Sequence, residues 1–238
     1  MVKLGVNVDH VATVREARKT FEPDPLEAAR ESEKAGCEGI VCHLRKDRRH
    51  INDGDLDRLK QAVTTKLNLE MSVDPEIVDI ACRVKPDQAT LVPENRQEIT
   101  TEGGLDVVSN FEKVKNVIDK LSGAGIEVSL FIDPEQEQVE ASKRSGAKII
   151  EFHTGRYAEE FNSGGDYEKE LDGLCKMTKF ALEEGFTVCA GHGLNYLNVT
   201  PVARIDGMYE LNIGHSIISR SIFVGIGEAV KEMKRLME

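Results

Sequence analysis

Short runs of aliphatic and β-branched residues recur along the chain, each ending in polar residues and followed by a longer, helix-patterned segment. Eight runs stand out, at 3–9, 38–44, 66–71, 88–92, 126–132, 147–153, 186–191 and 207–213. Each reads as a strand. Their polar ends fall near residues 10, 43, 70, 93, 133, 153, 192 and 214, so successive ends lie 20 to 40 residues apart. That leaves room for a helix and a return, the crossover that parallel strands require. Val114, Val117, Ile118 and Leu121, and later Ala229, Val230, Met233 and Leu236, form the apolar stripes of helices lying on a sheet. Asp24-Pro25, Asp74-Pro75 and Asp133-Pro134 read as N-cap acids before a proline at the first helical position. Gly36, Gly125, Gly146 and Gly185 fall where helices should end. No linker or low-complexity tract interrupts the rhythm, so residues 1–238 read as one domain. Eight βα units in 238 residues match a (β/α)8 TIM barrel, which typically takes about 250. An open doubly wound α/β sheet fits the same periodicity.

The polar positions give this pattern its chemistry. Alternate residues of a strand share a face. His43 and Arg45, Asn68 and Glu70, Glu151 and His153, and Ala190 and His192 therefore put polar groups at the C-terminal ends. Asn7 and Asp9 share a parity, with His10 just beyond. All six histidines (10, 43, 50, 153, 192 and 215) fall at strand ends or in the following loop, and none is expected in a helix. Barrels build active sites at that end. One strand-end histidine is ordinarily a hydrogen-bonded structural residue, and one glutamate a satisfied buried acid. Six histidines converging on one rim point to a site.

Charge sharpens the reading. With 31 basic and 42 acidic side chains the chain carries −11, which argues against sequence-independent nucleic-acid binding. An anionic ligand must then be held by local basic groups. One candidate is the loop Arg45-Lys46-Asp47-Arg48-Arg49-His50, with Arg15 and Arg18 placed in the same region. A second is formed by Gly191-His192-Gly193 and Gly214-His215, after the seventh and eighth strands, where barrels commonly bind phosphate. Two anion sites around several acid/base groups suggest two phosphorylated substrates being joined.

Several alternatives can be weighed on the residues. Lys66 and Lys148 open strands rather than end them, which argues against an imine with the enzyme. Gly123-Ala124-Gly125 lacks the third glycine of a dinucleotide fingerprint, and no G-x-S-x-G elbow is present. Asp9, His10, His43, Glu70 and His192 could ligate zinc or manganese. No H-E-x-x-H accompanies them, and a metal remains a rival explanation at this point. No apolar run approaches 18 residues, so no membrane partner is expected. The N-terminus turns polar too early for a signal peptide. Five cysteines without a CxxC pair suggest a reduced, cytoplasmic setting.

Taken as a set, the strand-end motifs resemble the pyridoxine 5′-phosphate synthase family. They are Gly5-Val6-Asn7-Val8-Asp9-His10, His43-Leu44-Arg45-Lys46-Asp47-Arg48-Arg49-His50, Asn68-Leu69-Glu70-Met71 and Gln97-Glu98-Ile99-Thr100-Thr101-Glu102-Gly103-Gly104. Glu151-Phe152-His153-Thr154-Gly155, Ala190-Gly191-His192-Gly193 and Glu210-Leu211-Asn212-Ile213-Gly214-His215 follow in order. The segments 20–24 and 156–166 match less clearly. The resemblance implies a (β/α)8 barrel with extra helices, assembled as a homo-octamer. It implies condensation of 3-amino-2-oxopropyl phosphate with 1-deoxy-D-xylulose 5-phosphate, giving pyridoxine 5′-phosphate, inorganic phosphate and water without metal or organic cofactor. It makes His43 and Glu70 proton acceptors and His192 a proton donor. It assigns Asn7, Arg18, Gly193, Gly214 and His215 to the amino-ketone phosphate. Asp9, His10, Arg45, His50 and Thr100 go to the deoxyxylulose phosphate, and Glu151 becomes a further polar member. Another phosphate-sugar aldolase or isomerase on a barrel, with or without a metal, is the alternative.

Overall fold

A computed structural model describes residues 1–94 and 103–238. Eight parallel strands follow one another in chain order: β1 (Lys3–Asn7), β2 (Gly39–His43), β3 (Lys66–Met71), β4 (Gln88–Leu91), β5 (Glu127–Ile132), β6 (Ile149–His153), β7 (Thr187–Gly191) and β8 (Met208–Ile213). β8 pairs back onto β1, with Lys3 opposite Glu210, so the sheet closes. The barrel expectation holds, and the open sheet is excluded.

Helices cover the outside. α1 (Asp9–Arg18) and α2 (Pro25–Lys34) follow β1; α3 (Asp53–Ala62), α4 (Pro75–Val84), α5 (Phe111–Gly123) and α6 (Gln136–Ser145) follow β2 to β5. α7 (Gly155–Ser163) and α8 (Tyr167–Glu183) follow β6, and α9 (Val199–Ala203) follows β7. α10 (His215–Val224) and α11 (Ile226–Met237) close the chain. The first, sixth and eighth units thus carry a second helix.

Two of the three Asp-Pro starts are caps. Asp24 accepts the N–H of Leu26 and Asp74 that of Glu76, with Pro25 and Pro75 opening α2 and α4. Asp133 does not cap: α6 begins after Glu135, and the Asp133 carboxylate lies 3.0 Å from Nδ1 of His153. The side chain is already committed to the barrel rim. β1 is also shorter than the pattern predicts. The Asn7 side chain accepts the N–H of Asp9 at 2.8 Å, and the chain turns there into α1. His10 and His215 therefore lie in the first turns of α1 and α10, contrary to the expectation that no histidine is helical.

Strand residues of one parity, among them Leu4, Val6, Ile40, Leu67, Leu69, Ile150 and Phe152, are fully buried with Leu56, Ile77, Val114 and Val139 of the helices. The lumen is unusually polar. β3 and β8 are not neighbours, yet Nζ of Lys66 lies 2.6 and 2.7 Å from the two carboxylate oxygens of Glu210. The pair can meet only across the interior. Lys66 also donates to Gln88 at 3.1 Å, Thr90 to Asn68 at 2.9 Å, and Asn212 to Glu151 at 2.7 Å. Buried polar groups are costly unless bonded, and these form one another's partners. Gly5 permits this filling, because a Cβ there would stand 2.1 Å from Oδ1 of Asn212.

Candidate active site

The C-terminal rim gathers acid/base groups from six of the eight units, those of β1, β2, β3, β6, β7 and β8. At its centre the Asn7 amide donates to Asp9 at 3.0 Å and to Glu70 at 3.4 Å. Asn7 and Glu70 stand on β1 and β3, so their contact also crosses the lumen. Asp9 accepts the backbone N–H of His43 at 2.8 Å. The β2–β3 register places His43 beside Glu70. One ligating atom each from Asp9, His43 and Glu70 lies within 4.8 Å of the others, so these three residues could also hold a divalent ion.

The other histidines ring this centre. His43 and His50 have ring centroids 6.0 Å apart, His10 and His215 5.1 Å, and His153 and His192 5.0 Å. Buried Nε2 of His43 and Nδ1 of His10 have no hydrogen-bond partner among the described residues. A Cβ on Gly214 would stand 3.0 Å from Cβ of Asn7 and 3.3 Å from Nδ1 of His10. This brings Asn7, His10, Gly214 and His215 to one place. His192 has φ +81°, a left-handed conformation in a non-glycine residue. Such strain costs roughly 1–3 kcal/mol and collects at functional sites. Gly193 follows it, exposed and also left-handed.

Burial sets the proton affinities. It raises Asp9 to about 7, against hydrogen bonds from His43 and Asn7 that act the other way. It pushes Glu70 well above the ordinary carboxylate range, helped by the charges of Glu151 and Asp9. Burial likewise raises Glu151 to about 7; the Asn212 hydrogen bond opposes this and Glu210 reinforces it. The imidazoles move down. Burial lowers His43 to about 3, with His50 and Arg45 adding repulsion. His10, His50 and His192 fall to about 4, in each case mainly by burial and then by a neighbour: His215 for His10, Arg45 for His50 and His153 for His192. Neutral imidazoles beside proton-holding carboxyls suit repeated proton transfer at neutral pH.

The basic loop divides in two. Arg45 is buried near His43 and His50. Its Nε lies 3.5 Å from Oδ1 of Asp47. The more exposed bases have carboxylate partners too: Lys46 with Asp74 at 2.6 Å, Arg48 with Asp53 and Glu76 at 2.9 and 2.7 Å, and Arg49 with Asp47 at 2.6 Å. Arg15 is structural. Its guanidinium forks onto Asp55 at 2.7 and 2.8 Å and donates to the His50 carbonyl at 3.0 Å. Arg18 is exposed near the end of α1, in a surface depression with Val14, Thr20, Glu22 and Pro23. Thr100 lies outside the described residues.

Sequence reasoning gave no role to Asn212, which holds Glu151, or to Glu94, whose Oε2 lies 4.0 Å from Nε2 of His43. Asn212 has the parity of Glu210, a signal that was available. Glu94 follows the end of β4, and only the closed barrel brings it beside β2.

The chain is similar to known proteins over its whole length. Residues 4–238 match the family described as pyridoxal phosphate biosynthesis protein PdxJ. A pyridoxine 5′-phosphate synthase of Synechococcus sp. (strain JA-2-3B'a(2-13)) is 56% identical over 237 residues, covering 100% of this chain and 99% of that protein. One of Trichlorobacter lovleyi is also 56% identical, with the same coverage. Among solved structures, KGPDC from Streptococcus mutans superposes with a TM-score of 0.67 at 13% identity, covering 100% of this chain and 97% of the other; this likeness concerns the fold alone. With a family match across nearly every residue and relatives this similar, the chain belongs to the PdxJ family of pyridoxal phosphate biosynthesis proteins.

Proposed function

We propose that this chain is a pyridoxine 5′-phosphate synthase. It condenses 3-amino-2-oxopropyl phosphate with 1-deoxy-D-xylulose 5-phosphate to pyridoxine 5′-phosphate, phosphate and water. The observation that carries the reading is the Asn7 amide bridging Asp9 and Glu70 beside His43, in a chain of this family. Relatives that share more than half its residues bear the synthase name, which does not favour an aldolase or isomerase. The whole chain acts as one barrel domain.

The amine of the amino-ketone attacks the ketone of the sugar phosphate, so the imine forms between substrates and needs no enzyme lysine. Lys66, the lysine inside the barrel, is held by Glu210 and Gln88. Dehydration, phosphate loss, ring closure and aromatisation then require protons to be taken and returned. Glu70 and His43 take protons. In its ionised form Glu70 is the stronger base, because burial and then the charges of Glu151 and Asp9 raise its proton affinity. It must pass its own proton on before it takes one from a substrate. His192 donates. Burial keeps its imidazole neutral near pH 7, and an adjacent phosphate dianion raises its pKa towards the working range. Glu151, held by Asn212, is a further polar member of the site.

Asn7, Arg18, Gly193, Gly214 and His215 hold the amino-ketone phosphate, and Asp9, His10, Arg45, His50 and Thr100 the other substrate. No metal or organic cofactor takes part. The assembly is a homo-octamer; exposed Phe21, Ile222 and Phe223, at 82, 75 and 80% accessibility, support burial against other copies. Sedimentation analysis tests this, and a monomer at micromolar concentration contradicts it. No helix among the described residues is long and apolar enough to cross a membrane, and all five cysteines are free, which supports a cytoplasmic setting. Turnover of the two substrates together, with neither alone giving product, tests the activity.

A further inference from the structure

Behind His192 lies a group of residues with no part in the assignments above. His153 ends β6 and is 7% exposed. Its Nδ1 lies 3.0 Å from Oδ1 of Asp133. The Asp133 carboxyl is held below its usual range, first by His153 and also by the N–H of Gly104. An ionised Asp133 keeps the proton on Nδ1 and fixes the tautomer, as outer carboxylates do for functional histidines. The other ring nitrogen, Nε2, is buried with no partner among the described residues. A Cβ on Gly155 would stand 2.4 Å from it, so the ring occupies space that only a glycine at that position leaves open. The ring packs with His192, centroids 5.0 Å apart and planes tilted 57°, and both face Phe131 at 5.2 and 6.5 Å.

The next residue holds the His192 backbone. Thr154 is fully buried, and its hydroxyl shares its hydrogen between the carbonyls of Gly191 at 2.8 Å and His192 at 2.6 Å. Its own N–H donates to Gly191 at 2.9 Å. These bonds fasten the two residues around the left-handed turn at His192, φ +81°. That conformation is sparsely populated unless its surroundings enforce it.

We propose that Asp133, His153 and Thr154 are positioning residues for His192. The Asp133-anchored imidazole packs against the His192 ring while the Thr154 hydroxyl clamps its backbone, so the ring is held at the barrel mouth in one orientation. The role of the trio rests on His192 being the proton donor.

The test pairs kinetics with a signal from His192 itself. Protein labelled with 13C at histidine Cε1 carries six histidines, and His192→Gln identifies the His192 resonance by its loss. Thr154→Val removes the hydroxyl at nearly constant shape, Thr154→Ser keeps it, and Asp133→Asn weakens the anchor at a less buried position. The expected result is a roughly 10- to 100-fold fall in kcat for Thr154→Val and Asp133→Asn, with KM for either substrate changed less than about threefold. The His192 resonance moves or broadens in both, and Thr154→Ser restores kcat and resonance together. Unchanged kcat and an unmoved resonance in folded Thr154→Val and Asp133→Asn overturn the proposal. Full turnover by His192→Gln instead overturns the donor assignment, while a resonance displaced in Thr154→Val and restored in Thr154→Ser still supports the clamp.

Discussion

The carboxylate of Asp9 accepts the backbone N–H of His43 at 2.8 Å, so the first turn of α1 is tied to the end of β2 by a side chain that also faces the site. The same carboxylate accepts from Asn7 at 3.0 Å. Asp9→Ala should therefore leave the buried His43 N–H unsatisfied, costing roughly 1–3 kcal/mol, remove one of the two acceptors of the Asn7 amide, and displace His43. The expected outcome is a folded, less stable protein with turnover reduced at least about 100-fold, read by circular dichroism, thermal melting and steady-state assay. Parent-like stability and activity would show that Asp9 neither holds His43 nor serves the reaction.

Glu70→Gln keeps the shape and the contact with Asn7 but removes the base. A general base contributes roughly 10²–10⁴-fold, and a loss of that size in kcat is expected with the melting temperature little changed. Near-normal turnover would remove Glu70 from the acid/base assignment.

Glu151 gives a pH signature in stability. Its carboxyl is raised to about 7 from an ordinary 4.5, mainly by burial. Between those values the folded protein holds a proton that the unfolded chain has released. The group's contribution is fully present below about pH 4.5 and is lost as pH rises through 7. The lowered imidazoles of His10, His43, His50 and His192 act in the opposite sense, favouring the fold as pH rises from about 4 to 6.5. Glu151→Gln cancels only the first effect. The melting temperature of the variant, relative to the parent, should therefore rise between pH 5 and pH 8; a pH-independent difference would mean that Glu151 is ionised throughout.

Arg15 and Asp55 form a bidentate pair whose side chains are 7% and 3% exposed. Asp55 also accepts the Asn52 N–H at 3.1 Å in the capping box that starts α3. Arg15→Ala strands a buried carboxylate, which costs roughly 3–5 kcal/mol. At about 2–4 °C per kcal/mol for a chain of this size, the melting temperature should fall by about 10 °C. It should fall far less in Arg15→Ala/Asp55→Asn, where no charge is stranded. Equal losses in the single and double variants would contradict the pairing argument.

Asp9, His43 and Glu70 could accept a divalent ion, yet the proposed chemistry needs all three free for proton transfer and hydrogen bonding. Dialysis against a chelator should leave turnover unchanged, and added zinc should inhibit it. Activity lost on chelation and restored by a divalent ion would make the metal part of the machinery.

Much of this was legible in the sequence because strand parity is local. The chain at 66–71 reads as a strand with Asn68 and Glu70 on one face, and β3 spans those residues with both side chains directed inward. What depends on closure was not legible. Lys66 and Glu210 are 144 residues apart and meet only because β3 and β8 face each other across the lumen. Asp133 reads as a helix cap because proline follows it; only the β5–β6 pairing shows that His153 competes for its carboxylate. The basic run after His43 suggests a phosphate loop, but Asp74, Asp53, Glu76 and Asp47 neutralise Lys46, Arg48 and Arg49. Arg45 is the member of the run that stays buried at the rim.

The most direct measurement is a two-substrate turnover assay on the purified chain. 3-Amino-2-oxopropyl phosphate and 1-deoxy-D-xylulose 5-phosphate are supplied together and separately, with pyridoxine phosphate absorbance and released phosphate followed in parallel. The account predicts one phosphate released per pyridoxine 5′-phosphate formed, only when both substrates are present. Phosphate release or isomerisation from one substrate alone, with no pyridoxine 5′-phosphate from the pair, would contradict it.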